Sequence, residues 1–318
     1  MKRWWIRPLV RVMAAALLPI AVPLVITLFI WALPGDPASI VCPPEICGGT
    51  EELARDWHLD RGPWHFYTWW MKGALTGDFG NSWRLQPGVP VGELLWGSIP
   101  WTAALVTLAF VPLLIGAALA AMRVLPAKAD GVLQAIGLTP AVVLSLLAAA
   151  AVTLKFGAFA YDDTAMRIKL LLGALVLGLA DQSLSGAVTG VRGLLESERT
   201  QRYVQIAILR GESVLSNTLP NVLGAIAGQM RARLLHLLSG AVIVEVIVRI
   251  DGLGDLLWQG TLSQDFGVVL AAAFGFAALS AVLLILQALV EVGTAMHIRR
   301  APGGFDGDAT PALSGEAA

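Results

Sequence analysis

Long apolar stretches separated by short polar segments dominate the chain. A bilayer core about 30 Å thick takes about 20 helical residues to cross. Apolar stretches of that length are residues 12–33, 99–122, 132–154, 170–190 and 268–290. Residues 222–248 form another, interrupted by four polar residues, and we interpret it as one helix that begins at the membrane interface. The pattern predicts an all-α membrane protein with six transmembrane helices.

The polar segments divide the chain into four parts. Residues 1–33 hold an N-terminal tail and the first predicted helix, and residues 34–98 form a loop rich in Trp, Pro and Gly. We interpret this loop as an extracytoplasmic cap on the membrane part. Residues 99–300 form the predicted core with five further helices. The Gly-, Ala- and Pro-rich tail, residues 301–318, is expected to be disordered.

Composition and charge narrow the possible functions. Apolar residues make up 56% of the chain and charged residues 14%, against about 25% charged in an average soluble domain. The net charge of −1 gives no basis for binding nucleic acid. The distribution of Lys and Arg predicts that both termini are cytoplasmic. The first apolar stretch is too long for the core of a cleaved signal peptide, so we expect it to remain.

Catalytic and metal-binding motifs are missing from the sequence. It has no Gly-x4-Gly-Lys-Ser/Thr phosphate loop, no H-E-x-x-H and no G-x-S-x-G. We therefore predict no enzymatic activity and no cofactor, and ATP hydrolysis by that route would need another chain. Cys42 and Cys47 are the only cysteines, and no C-x2-C pairing suggests a metal site. A disulfide between them fits an oxidising compartment.

Two acidic residues lie within or near predicted spans. Asp181 falls inside the fourth apolar stretch, and Glu245 lies near the outer end of the fifth helix. A charge at bilayer depth is costly and normally faces protein or water. Both residues are therefore candidates for lining a translocation path. A hydrogen bond between helices is the alternative for each.

A basic, partly amphipathic segment, residues 202–223, separates the fourth and fifth predicted helices. Apolar or small residues recur along it at roughly helical spacing: Val204, Ala207, Ile208, Gly211 and Leu215. Gly211 permits a turn or a close backbone approach. The segment predicts a cytoplasmic helix that docks on a soluble partner. A helix lying on the lipid surface is the alternative.

The same segment resembles the EAA coupling loop of ABC-transporter permeases. Gln205-Ile206-Ala207 is followed, after three residues, by Gly211, and Leu219-Pro220-Asn221 agrees with that loop downstream. The region that resembles the EAA loop covers about residues 192–224. The residues that the resemblance assigns to ATPase docking are Tyr203, Gln205, Ala207, Arg210, Gly211, Leu219 and Pro220.

Further motifs resemble the dipeptide/oligopeptide/nickel class of these permeases. The sequence Leu33-Pro34-Gly35-Asp36-Pro37 is similar to its L-x-P-G-D-P turn, and residues 75–82 to its L-x-G-D-L-G-x-S. Residues 239–245 are similar to G-G-A-V-V-V-E, and Gly252-Leu253-Gly254 with Asp265-Phe266 to P-G-L-G and R-D-Y. The motifs stand in family order from about residue 33 to residue 265.

The resemblance implies a transmembrane subunit of an ATP-driven ABC importer in the bacterial inner membrane. Such a subunit forms the path for a peptide-like or other small solute. Its implied partners are a second homologous permease, two cytoplasmic ATPases, an extracytoplasmic solute-binding protein and membrane lipid. The alternative is an ATPase-independent secondary transporter or channel, which predicts inverted repeats and broken helices with ion-binding groups at the midplane.

Overall fold

The computed structural model describes residues 6–42, 48–157 and 162–300. The described residues form thirteen α-helices and one 3₁₀ helix, Leu59–Arg61, which confirms the predicted all-α class. The α-helices are α1 Ile6–Ala32, α2 Pro37–Val41, α3 Thr50–Asp56, α4 Pro63–Thr76, α5 Val91–Ala121, α6 Ala127–Gly137, α7 Ala141–Phe156, α8 Asp163–Leu179, α9 Ser183–Arg199, α10 Arg202–Leu209, α11 Val214–Val248, α12 Leu253–Leu262 and α13 Phe266–Arg300. The predicted disordered tail lies outside the described residues.

Three helices are long and apolar enough to cross a membrane: α1, α5 and α13. Two pairs, α6–α7 and α8–α9, pass the same test together but are bent by 75° and 43°. The described residues therefore contain three candidate spans, or up to five if each bent pair is one span. The interrupted stretch is a single helix, α11, as predicted, but it is not among these candidates.

Two stretches predicted as continuous helices are each broken, so those predictions were wrong in that respect. Within residues 132–154 the break falls at Pro140, which lacks an N–H donor and disfavours helix at Thr139. Within residues 170–190 it falls at Asp181 and Gln182, whose φ angles of 49° and 57° are left-handed. A right-handed helix cannot continue through left-handed residues.

The polar interruptions of α11 are accommodated by glycines of α9. A Cβ atom at Gly186 would lie 2.4 Å from Nη2 of Arg233, and one at Gly190 would lie 2.4 Å from Nε2 of Gln229. Small residues allow such close helix approach where apolar burial does not drive association. This packing explains how long polar side chains fit between two helices of the core.

The chain between α1 and α5, here called the cap, packs on both neighbouring parts of the molecule. Phe66, Trp70 and Met71 of α4 are buried in a cluster with residues of α5, α12 and α13. The Tyr67 hydroxyl donates to the Ile20 carbonyl of α1 at 2.9 Å. The cap is therefore fixed to α1 as well as to the helices that follow it.

The Pro34-Gly35-Asp36-Pro37 motif forms the turn that leads into the cap. Gly35 has a φ of 109°, and Oδ2 of Asp36 accepts from the Ser39 amide at 3.2 Å as the N-cap of α2. Pro37 occupies the first helical position, where a missing N–H costs nothing. Gly35, Asp36 and Pro37 thus each have a local structural reason.

Cys42, at the end of α2, is buried and disulfide-bonded. Its predicted partner, Cys47, lies outside the described residues, so the pairing of these two cysteines stays a prediction.

Candidate functional site

The short helix α10 lies between α9 and the long helix α11 along the chain. Val204 and Ala207 are buried, and α10 packs on both α9 and α11. Ala207 is buried, so it helps to hold α10 against α9 and α11. The other six predicted docking residues are exposed. We call α10 and the turn that follows it, residues 202–213, the coupling segment.

The outward side of α10 is apolar. Leu209 is 87% exposed, and Ile206 and Ile208 are 50% and 49% exposed. Arg202 and Arg210 are exposed at the two ends of this surface. The spacing had predicted that Ile208 shares one face with Val204. That prediction was wrong, because Val204 is buried and Ile208 is exposed. Ile206 and Leu209 were missed as docking candidates, although both are apolar residues outside the predicted face.

The turn after α10 requires glycine because of its backbone conformation. Gly211 has a φ of 74°, and a Cβ atom there would meet nothing within 4 Å. The Gly211 amide donates to the Ile208 carbonyl and the Glu212 amide to the Ala207 carbonyl, each at 3.0 Å. These two bonds form a Schellman motif, which ends a helix with a left-handed residue.

Tyr203 ties α10 to both neighbouring helices. Its hydroxyl donates to the Glu198 carboxylate of α9 and accepts from Nδ2 of Asn221 of α11 at 2.8 Å. Burial raises the pKa of Tyr203 to about 12, with Glu198 acting in the same direction. Tyr203 therefore stays neutral at physiological pH. Leu219 and Pro220 are exposed on α11, next to Asn221.

Glu245 is fully buried and holds the beginning of α12. Its Oε1 accepts from the Thr102 hydroxyl at 2.7 Å, and its Oε2 accepts from the Gly254 amide at 2.6 Å. Thr102 in turn accepts from the Leu253 amide at 2.7 Å. Any Cβ atom at Gly252 would lie 2.3 Å from the Glu245 carboxyl carbon, which explains a glycine there.

Asp265 is the second fully buried carboxylate, and sequence reasoning had not placed it in a site. Its Oδ2 accepts from the Ser82 hydroxyl at 2.7 Å and from the amides of residues 83, 84 and 85 at 2.8, 3.1 and 3.3 Å. Its Oδ1 accepts from the Val268 amide at 3.3 Å. We call Glu245 and Asp265, with these donors, the carboxylate clamp.

Another carboxyl group, that of Asp255, lies in the first turn of α12 and is half-buried. Burial raises the pKa of Asp255 to about 6, against a hydrogen bond from Gln259, and the nearby Asp251 acts in the same direction as burial.

Asp181 joins the two helix breaks to each other. Its Oδ1 accepts from the Ala141 amide at 3.3 Å, at the start of α7, and its own amide donates to the Thr139 carbonyl at 3.3 Å. The Gln182 amide donates to the Gly137 carbonyl at 2.9 Å. The geometry agrees with the alternative of a hydrogen bond between helices. The residue is nevertheless exposed, so a role in the path stays a prediction.

Comparison with known proteins decides the family. Residues 113–295 match the family described as binding-protein-dependent transport system inner membrane component. The chain belongs to this family. The match contains the coupling segment, Asp181 and Glu245, and ends short of the C-terminus.

Several curated permeases are similar over most of their length. The glutathione transport system permease protein GsiC of Salmonella choleraesuis is 27% identical over 290 residues, covering 85% of this chain and 90% of that protein. The GsiC proteins of Shigella boydii serotype 4 and Escherichia coli strain K12 are each 24% identical over 282 residues, with the same coverage.

Membership of the family establishes the class of function. This permease is the multi-pass inner-membrane, non-catalytic component of an ABC importer that works with ATPase and binding-protein partners. Broken helices alone would also suit a secondary transporter, but a binding-protein-dependent family excludes that alternative. No cluster of three or more His, Cys, Asp or Glu among the described residues is arranged to hold a metal ion.

Proposed function

We propose that this permease pairs with a second, homologous permease and carries a peptide-like solute, driven by an ATPase that docks on the coupling segment. The apolar outward side of α10 is the observation that carries this proposal. A largely exposed leucine such as Leu209, flanked by isoleucines and arginines, is typical of a surface that another protein covers. The similarity to glutathione permeases favours a small peptide-like solute.

The proposed topology has six spans: α1, α5, α6–α7, α8–α9, α11 and α13. Both termini and the coupling segment are then cytoplasmic, and the cap and α12 lie on the other side. Reporter fusions at Leu125, between α5 and α6, at Asp162 and after Arg300 are expected to report inside, outside and inside. A tail that reports outside would contradict this topology.

The continuous helix α11 gives the proposal a mechanical basis. It has 35 residues, which at 1.5 Å per residue is about 50 Å, and it runs from the coupling segment to Glu245 and α12. Movement of a docked ATPase would therefore reach the other side of the membrane along one rigid element. Tyr203 joins α10 to this helix and to α9.

Replacing Leu209 by Asp tests the docking surface. Because its side chain is almost wholly exposed, Leu209→Asp should leave insertion and thermal stability unchanged. Loss of a docking residue of this kind typically costs about 2 kcal/mol or more, so co-purification with the ATPase should fall about thirtyfold. The matched control is Val124→Asp, an exposed apolar residue in the turn between α5 and α6.

The lipid-surface alternative predicts a different pattern. If α10 lies on lipid, Leu209→Asp weakens binding of the isolated segment to anionic vesicles and leaves ATPase association at the wild-type level. That combination, with wild-type ATPase association in the Val124→Asp control, would overturn the docking assignment.

Asp181 and Glu245 are proposed to contribute to the translocation path in different ways. Asp181 is exposed at the helix break and is proposed to face the central cavity or the second permease. Asp181→Asn keeps an oxygen that accepts from the Ala141 amide, so assembly should persist while transport changes. Glu245 is proposed to support the path by holding α12. Wild-type transport and assembly in Asp181→Leu would remove the proposed role of Asp181.

A further inference from the structure

The cap contains a cavity of about 470 Å³ that the proposed coupling mechanism does not use. It lies between α3, α4 and the loop that follows α4. Its aromatic walls are Trp57, Trp69, Trp70, Phe79 and Trp83. The volume falls within the range of small-molecule sites, about 300–1,000 Å³.

The charge of the cavity has one sign. Among the residues that the structure describes, the lining contains one carboxylate, Asp56, and no Lys, Arg or His. Asp56 ends α3 and is exposed, and it makes no ion pair or hydrogen bond within residues 6–42, 48–157 and 162–300. Indole rings attract cations to their faces through the ring quadrupole. An aromatic enclosure with one unpaired carboxylate therefore selects a positively charged ligand.

The walls are held in place by the protein itself. The Trp83 amide donates to Asp265 of the carboxylate clamp at 2.8 Å, and the ring of Trp83 meets that of Trp57 edge-on, with centroids 3.9 Å apart. Trp70 is 4% exposed, so its ring is fixed by the side chains packed around it. A site that is rigid beforehand loses less entropy on binding.

We propose that the cap cavity binds an organic cation, an alkylammonium or guanidinium group, between the tryptophan rings with Asp56 as its counter-charge. The amino group of a soluble molecule and the ethanolamine group of a phospholipid share this chemistry. The site is independent of ATPase docking, because none of its residues belongs to the coupling segment.

Tryptophan fluorescence of the purified full-length permease tests the site. Choline is the probe, and its neutral isostere 3,3-dimethylbutan-1-ol is the control ligand. In nanodiscs of phosphatidylglycerol, choline should change the fluorescence saturably, and the isostere should bind at least about tenfold more weakly. Equal binding of the two ligands would show an apolar cavity without cation selectivity and would overturn the proposal.

A variant pair isolates the charge. Asp56→Asn is expected to weaken choline binding about fivefold to thirtyfold, because it removes the one carboxylate among the described lining residues. Glu51→Gln, on the same helix but outside the lining, should bind choline like the wild type. Both positions are exposed, so unchanged thermal unfolding verifies the fold. Wild-type affinity in Asp56→Asn would contradict the assignment.

A change of lipid separates the two sources of the cation. If ethanolamine headgroups fill the site, the apparent choline affinity falls as phosphatidylethanolamine replaces phosphatidylglycerol in the nanodiscs. If choline binds equally in both, the site serves soluble cations. Either result supports a cation site, and the comparison says which molecules reach it.

Discussion

The coupling segment precedes α11, and the carboxylate clamp lies near its C-terminal end and beyond it. The two regions differ in whether their side chains are satisfied within this chain. At the clamp, two fully buried carboxylates fix loop and helix starts through short hydrogen bonds from within the chain. At the coupling segment, two small buried residues hold α10, and its larger apolar side chains remain outside. One end is completed by its own sequence, whereas the other presents an apolar surface that we propose the ATPase covers.

The largest effect on stability is expected at Asp265, where five hydrogen bonds meet. Asp265→Ala leaves the buried Ser82 hydroxyl and Val268 amide and three partly buried amides without their acceptor, and should cost about 3–5 kcal/mol. Thermal unfolding of the purified permease measures this loss. Asp265→Asn retains one acceptor oxygen and should lose less. Equal stability of all three proteins would contradict a structural role for Asp265.

Glu245→Gln should have the next largest effect. The carboxylate accepts from two donors, and an amide can accept at only one of its two terminal atoms. The unmet donor should cost about 1–3 kcal/mol and loosen the start of α12. Hydrogen exchange of the Leu253 and Gly254 amides reports this loosening directly. If hydrogen exchange became faster in the coupling segment and stayed unchanged at α12, Glu245 would not act by holding the start of α12.

Gly211 distinguishes the turn from the docked surface. A left-handed conformation should cost Gly211→Val about 1–2 kcal/mol locally, and Asn, which tolerates that conformation, less. We expect Gly211→Val to lose ATPase association and solute-stimulated hydrolysis while inserting normally, and Gly211→Asn to keep both. An Asn variant with an intact turn but no association would place the ATPase directly against this position.

The smallest effect is a pH dependence at Asp255. The folded-state pKa of about 6 lies above the value in an unfolded chain, about 3.9, so burial favours the protonated carboxyl. The stability that this group contributes is complete below pH about 4 and is lost as pH rises through about 6. Asp255→Asn should therefore unfold at a higher temperature than wild type at pH 7, by no more than about 3 °C.

That difference in unfolding temperature should disappear towards pH 4, which gives the experiment its internal reference. Asp60→Asn, at an exposed position of the cap, is the control and should show no such trend. A constant difference across this pH range would show that the carboxyl of Asp255 does not titrate between the two values.

The sequence was sufficient for the long apolar helices and insufficient for their breaks. The helices α1, α5 and α13 follow from apolar length, and α11 from its position despite its polar residues. Pro140 was a visible signal for one break, because proline ends a helix at the residue before it. The break at Asp181 had no such signal. It depends on hydrogen bonds to α6 and α7 that only the folded chain provides.

In the candidate site too, local features could be predicted from the sequence and features that depend on distant residues could not. The turn that Gly211 allows was predictable, since a helix-ending glycine is a local property, whereas docking of a partner on this segment stays a prediction. Which side of α10 faces outward depends on α9 and α11, so Leu209 was missed and Ala207 was placed among the docking residues. The sequence suggested only that Asp265 belongs to a motif. Its partners are residues 82–85, far away in sequence, and no local pattern predicts these contacts.

The hydrogen bonds between the two helix breaks also constrain the order of biosynthesis. The carbonyls of Gly137 and Thr139 accept from the amides of Gln182 and Asp181, which the ribosome adds later. Until α8 and α9 are present, these two carbonyls lack the donors that they have in the folded chain. The first bent pair therefore reaches its final state only after the second has been synthesised.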